Sequence, residues 1–405
     1  MTQELVAGQT HRARPASAPI VTATNAAGVG ALAGAELALF LLFPSLGIVQ
    51  KYLGIAGAFA YFGIGGVLLI ALSVRGLPFA SEIKAIGRPW IRLAIVLMFV
   101  VLAIAFVTFY ASAGNGNDRG DSLNVGIHEL LAGRYPYYQT TQFNNVVTQM
   151  PGSLLLATPF ALLGNAAWQN LFWLGVLFVI ARSLLGGDHG ALMVMALILL
   201  GSPAVLHDLV TAGDLGASTI ALLMGMLTLV TLAADVSAAT WKKFTAAAFT
   251  GIALSSRMNY LLLVPPLFAA LLRRASVADA IRYSCVTGMA FAAVTLPFYW
   301  HDPVAFAPLH LHNKFAMFGE VPSGWILFPA ISLLASVLIS MHSGNRTVRG
   351  WLIQSALVMM IPVVFLVALG TYRLRRPDFL FADYAIASVI PGVIGIALMK
   401  VQAEK

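Results

Sequence analysis

Asp118, Asp121, His128 and Glu129 lie close together in a polar stretch, residues 113–150, of a chain that is otherwise almost continuously apolar. The sequence there reads NDRGDSLNVGIHELLAGRYPYYQTTQFNNVVTQMPG. A carboxylate at a membrane surface can take the proton of an attacking hydroxyl, the task of a general base. Asp118 precedes Asp121 by three residues and His128 follows it by seven, so one continuous helix would set all three near one face. Asp121 is the favoured catalytic base because it opens the amphipathic segment. Asp118 is the second catalytic candidate, and His128 is a candidate substrate contact. The competing reading is ordinary: Asp121 or Ser122 caps the helix, and His128 is a solvated interfacial residue.

Other residues carry charge suited to a phosphate. In TYRLRRPDFLFADY, Arg373, Arg375 and Arg376 form a cluster, and guanidinium groups bind phosphate oxygens bidentately while staying charged. They could equally contact lipid headgroups or pair with Asp378 and Asp383. Arg257 stands at the end of an apolar segment, where an ionisable residue is a functional suspect. His312 and Lys314, in HDPVAFAPLHLHNKFAMFGE, are candidate phosphate or acceptor contacts. The pair His310 and His312 has metal-ligand spacing but no placed carboxylate, so no metal is expected. Asp214 reads as a helix cap or a sugar contact, and Glu36 as an intramembrane acid.

The elements that must position these residues follow from composition. Hydrophobic residues make up 59% of the 405, charged residues 10%, and the mean hydropathy is +0.86. Globular chains carry about 25% charged residues, so this composition points to an all-α polytopic membrane protein. Nucleic acid is excluded as a partner despite a net charge of +8, because no basic cluster is interleaved with aromatics. The one cysteine, Cys285, can form no intrachain disulfide. Apolar runs near the roughly 20 residues needed for a bilayer predict twelve spans (range 10–13). They are 28–49, 54–74, 90–112, 166–184, 189–206, 215–234, 244–257, 259–272, 280–298, 322–342, 349–369 and 379–399. The run 151–164 is too short and is predicted as a re-entrant or juxtamembrane helix.

Most Lys and Arg fall on one side of this scheme and most acids on the other. Both termini are therefore expected in the cytoplasm, as tails 1–27 and 401–405 around a single transmembrane domain, 28–400. The loop 113–150 is expected on the outer face. The Ala-rich composition and the lack of targeting features point to a bacterial plasma (inner) membrane, with the site facing the periplasm or exterior.

The order of an acid, an amphipathic segment ending LLAGRYPYY and then QMPGSLLLATPFALLG resembles the first outer loop of polyprenyl-phosphate-sugar-dependent GT-C glycosyltransferases, particularly glycosyltransferase family 87. Gly133, Pro136 and Tyr137 match the family's Gly-x-x-Pro-Tyr turn, and Pro151 matches a later proline. GSPAVLHDLVTAGDLGAS and GIALSSRMNYLLLVPPLFAALLRR are similar to two further family segments. Met150, Gly152 and Arg257-Met258 depart from the pattern. The resemblance implies a GT-C-like fold with outer-face juxtamembrane helices, and a hexosyl- or pentosyltransferase of the cell envelope. Its partners would be a polyprenyl-phosphate sugar donor, a glycan or glycolipid acceptor and membrane lipids, with no cofactor. Asp121 matches the family's acidic position most closely. No Walker A sequence, dinucleotide loop, nucleophile elbow or zinc motif occurs, and the chain has no room for a nucleotide-binding domain. Two alternatives stay open: a secondary transporter, which would need ionisable residues at mid-membrane, and a polysaccharide polymerase or ligase acting on lipid-linked sugars.

Overall fold

The computed structural model describes residues 23–75, 87–112, 118–310, 327–342 and 347–403. Most of the expected N-terminal tail, residues 113–117 of the polar loop, His312, Lys314 and the last two residues of the C-terminal tail lie outside these. Fifteen helices follow in order among the described residues: α1 (Ala23–Leu42), α2 (Leu46–Val74), α3 (Arg88–Ser112), α4 (Asp118–Leu131), α5 (Pro151–Leu162), α6 (Gln169–Leu185), α7 (Asp188–Gly201), α8 (Pro203–Val210), α9 (Leu215–Ala234), α10 (Thr240–Leu254), α11 (Val264–Leu272), α12 (Val277–His301), α13 (Leu327–Met341), α14 (Val348–Leu374) and α15 (Ile386–Ala403). The only β pairing among them is one antiparallel bridge between Thr140 and Val146. In lipid a helix satisfies its own backbone, which is why apolar runs of this length take that form. Local signals set the ends. Ser276 accepts the Asp279 N–H at 3.1 Å to cap α12, Thr347 accepts the Gly350 N–H at 3.0 Å to cap α14, and Pro151 and Pro203 open α5 and α8.

The protein is an all-helical, polytopic membrane protein, but twelve full spans are not present among the described residues. Seven described helical runs are long and apolar enough to cross a bilayer, or eight if α7 and α8, bent by 89° at Ser202, form one broken span. The expected count overshoots because several apolar segments end early at polar breaks. Helix α7 has 14 residues and α10 has 15, against the roughly 20 of a full crossing. The first of the seven, Gly28–Val74, also folds back on itself between Phe43 and a non-helical Gly54. Its two limbs pack antiparallel and close: a Cβ on Gly34 would lie 2.5 Å from the Ile70 Cα. Small residues at such a seam let backbones approach where lipid removes the hydrophobic drive to associate.

Helices α9 and α15 are the most buried spans, and large apolar side chains on α2 and α3 face outward, as lipid-facing surfaces do. Contacts between chain-distant residues sort the connections into two ends. The start of α9, the end of α10, the end of α12 and the start of α15 meet α4 and α8 at one end. The turns at 235–239 and 273–276 consequently lie at the opposite end.

Candidate active site

Helix α4 opens with Asp118 and Asp121 in its first turn. Its apolar face seats Leu123 and Ile127 against Leu154 and Ala157 of α5. Ser122 donates to Gln149 Oε1 at 2.6 Å, Gln149 Nε2 donates to the Arg119 carbonyl at 3.0 Å, and the Tyr137 hydroxyl donates to the Gln149 carbonyl at 3.0 Å. The start of α5 inserts beside the end of α10, with Gly152 N–H donating to the Ser255 carbonyl at 2.8 Å. Only glycine fits there, since a Cβ would collide with the Ile252 carbonyl oxygen and approach the Ser255 oxygen to 2.7 Å.

The two acids turn the same way. Asp118 accepts from Thr141 Oγ1 at 2.5 Å and from Asn145 Nδ2 at 3.2 Å. Asp121 accepts the backbone N–H of Gln142 at 2.7 Å through one oxygen, and its other oxygen accepts no hydrogen bond among the described residues. The carboxylates thus clasp the loop 141–145 from below. Asp121 is partly exposed and keeps an oxygen for another proton. His128 is exposed on the same continuous helix, but it stands about 10 Å farther along the axis at 1.5 Å per residue, so the fold does not bring it to the acids.

Between the acids, Arg119 points the other way. Its Nη2 donates to Asp383 Oδ2 at 2.7 Å, its Nη1 lies 3.6 Å from Asp208 Oδ1, and its guanidinium stacks 4.8 Å from the Tyr384 ring centroid. Burial works against its charge, but Asp383, Tyr384 and Asp208 outweigh that cost and hold it above the ordinary arginine value. Asp208 is itself buried; its second oxygen accepts the Gly216 N–H at 2.9 Å. Asp208 Oδ1 and Asp383 Oδ1 have no hydrogen-bond partner among the described residues. This three-way contact ties α4 to α8 and to the turn before α15. Sequence reasoning passed over Arg119, although a basic residue between two acids, on the side expected to be poor in positive charge, was a signal.

Arg257 is buried and bonded to Asp214 at the start of α9, whose other oxygen accepts from Ser153 Oγ at 3.1 Å. Its charge is therefore already matched. Arg373, Arg375 and Arg376 are exposed at the end of α14 and form no ion pair among the described residues; Arg375 lies 4.7 Å over the Tyr372 ring. Asp383, one of their suggested partners, is instead held by Arg119. Gln50 anchors the loop that follows them, donating to the Pro377 carbonyl at 3.2 Å and accepting the Phe379 N–H at 2.9 Å.

An aromatic group flanks the acids. The Tyr135 ring lies 4.7 Å from Tyr138 and 4.5 Å from His301, and its hydroxyl donates to the Phe298 carbonyl at 2.8 Å. Burial and the nearby Asp302 push that hydroxyl up to about 12. The Ala305 N–H holds the Asp302 carboxyl below its ordinary value, despite partial burial, with help from the Tyr138 hydroxyl at 3.1 Å.

Among the described residues no group of three or more His, Cys, Asp or Glu side chains converges to hold a metal. What the arrangement can do chemically is accept a proton at Asp121 and receive an anion at the exposed arginines. No family model, curated protein or solved structure matches this chain.

Proposed function

We propose that this protein is a membrane glycosyltransferase that moves a sugar from a polyprenyl-phosphate donor to a hydroxyl of a glycan or glycolipid acceptor. The observation that carries this reading is Asp121: one carboxylate oxygen is fixed by a backbone N–H and the other is open at the polar end of the bundle. The open oxygen takes the proton of the acceptor hydroxyl as that hydroxyl's oxygen bonds to the anomeric carbon of the sugar. The bond from that carbon to the phosphate oxygen breaks, and the lipid phosphate leaves with the electron pair. Arg373, Arg375 and Arg376 are exposed cations suited to receive it. His312 and Lys314 would contact the same phosphate or the acceptor.

The resemblance to GT-C enzymes of glycosyltransferase family 87 supports the assignment. In this reading the short apolar helices complete a twelve-segment GT-C-like bundle. The polar end faces the periplasm or exterior of a bacterial plasma membrane, with both termini inside. The matched state of Arg257 leaves it to hold α9 and α10 together beneath the site rather than to bind phosphate.

A transfer assay in membranes containing the protein, supplied with a panel of radiolabelled polyprenyl-phosphate sugars, tests the proposal. Labelled glycan that forms with the wild type and disappears with Asp121→Asn is the expected result. Solute uptake without product would instead identify a transporter.

A further inference from the structure

Residues 135–150, YPYYQTTQFNNVVTQM, contain no Asp, Glu, Lys, Arg or His, although they follow the acidic helix directly and stand at the polar end of the protein. In their place are aromatic rings, amides and hydroxyls. Tyr138, Gln139, Thr140, Phe143, Asn144 and Asn145 are exposed, with Tyr138 at 58% and Phe143 at 54%. A phosphate or an anionic headgroup calls for cations, and this surface offers none. A neutral polyol calls for what is present. Amide and hydroxyl groups donate to and accept from its hydroxyls, and a ring face covers its C–H groups.

The surface is also built rather than loose. One side of the Tyr138 ring packs on Tyr135, and its hydroxyl is held by Asp302 Oδ2 at 3.1 Å. His301 lies beside it, with ring centroids 6.2 Å apart. Tyr135 in turn is fastened to the end of α12. Aromatic residues that mark a membrane boundary stand at the ends of spans. Tyr138 stands on a turn outside any span and is oriented at both ends of its side chain, which is preorganisation for a ligand. From Tyr138 to Gln142, whose N–H binds Asp121, the chain can extend at most about 14 Å.

We infer that residues 138–145, with His301 alongside, form a binding platform for an uncharged oligosaccharide, with a sugar ring stacked on Tyr138 and its hydroxyls bonded by the amides around Asn144. Placed beside Asp121, the platform holds the acceptor glycan, so this inference rests on the transferase reading for its role but not for its binding chemistry.

The full-length protein in lipid nanodiscs tests it by saturation-transfer NMR with maltotriose, mannotriose and arabinotriose as neutral probes and a glucuronic-acid disaccharide as the acidic one. At least one neutral probe binds, and the acidic one binds far more weakly. Tyr138→Ala weakens binding about tenfold, as loss of one stacked ring should. Tyr138→Phe keeps the ring and most of the binding, and Gln139→Ala, at an exposed position, weakens it without threatening the fold. Binding by the wild type with no glycosyl product from any donor would leave the platform standing and remove the transferase. Absence of binding by all neutral probes at millimolar concentration, or unchanged binding in Tyr138→Ala, overturns the platform. The second outcome would return Tyr138 to the membrane boundary.

Discussion

A single hydrogen bond, from the Gln142 N–H, orients the Asp121 carboxylate. An amide at this position still accepts the Gln142 N–H but takes up no proton, so Asp121→Asn separates chemistry from structure. Transfer should fall by at least about a hundredfold, the lower range for a lost general base, with the melting temperature unchanged. Asp214 and Arg257 present the opposite case, a buried pair in which each charge depends on the other. Asp214→Ala or Arg257→Ala alone should cost roughly 3–5 kcal/mol, because the remaining charge is stranded, while the double variant should be the milder. Thermal unfolding of the three variants in one detergent checks this ordering. At the far end of α4, Arg134 hydrogen-bonds the Glu129 carboxyl and holds it below its ordinary 4.5. That contribution is complete above the unfolded value and is lost as pH falls through the lower folded one. Protection of the amides at 132–134, corrected for intrinsic exchange, should accordingly fall as pH drops below the ordinary glutamate value of 4.5. The acids were legible in the sequence because they interrupt an apolar chain. Their partners were not, since Thr141, Gln142 and Asn145 become neighbours only when the loop folds back over α4.

Helix α4 is an element whose position is set from outside itself. Its existence could be read from Asp118 and Asp121 at the start and from Leu123 and Ile127 at helical spacing. Its docking could not, because Arg119 binds carboxylates from two segments far along the chain. Helix α5 was likewise legible as a short apolar helix, whereas its insertion beside α10 depends on the absence of one side chain at Gly152. Gly152→Ala puts two effects in competition. Helix propensity favours alanine by up to about 1 kcal/mol, and the collision with the Ile252 carbonyl opposes it with about 1–3 kcal/mol for a forced backbone shift. The collision should win, giving a lower melting temperature and faster hydrogen exchange across 151–162.

At the level of the molecule, composition made the all-helical membrane class plain, and each expected span overlaps a described helix, although Ser202, 255–257 and 379–381 are not helical and 322–326 lie outside the described residues. The number of full crossings did not follow, because hydropathy registers apolar length and not the break at Ser202 or the short reach of α7 and α10. Alternation between the two ends is nonetheless fixed by contacts such as Asp214 with Arg257 and Tyr135 with Phe298. With Cys285 replaced by Ala, a membrane-impermeant maleimide applied to intact cells should therefore treat Asn144→Cys and Ser237→Cys oppositely. Labelling of Asn144→Cys alone is expected if the polar end faces out. Equal labelling of both would mean that they do not lie across the membrane from each other.

The bond from Arg119 to Asp383 joins residues 264 positions apart in a sequence of 405. During synthesis the acid-bearing helix leaves the ribosome long before its carboxylate partner exists. Until Asp383 is made, the Arg119 guanidinium lacks its shortest contact, and Asp208, 3.6 Å away, is the carboxylate that ties α4 to the bundle at that point. The shortest contact by which Arg119 positions α4 is thus made late in synthesis. A chain that ends before Asp383 carries Asp118 and Asp121 but lacks the shortest contact by which Arg119 positions the helix bearing them.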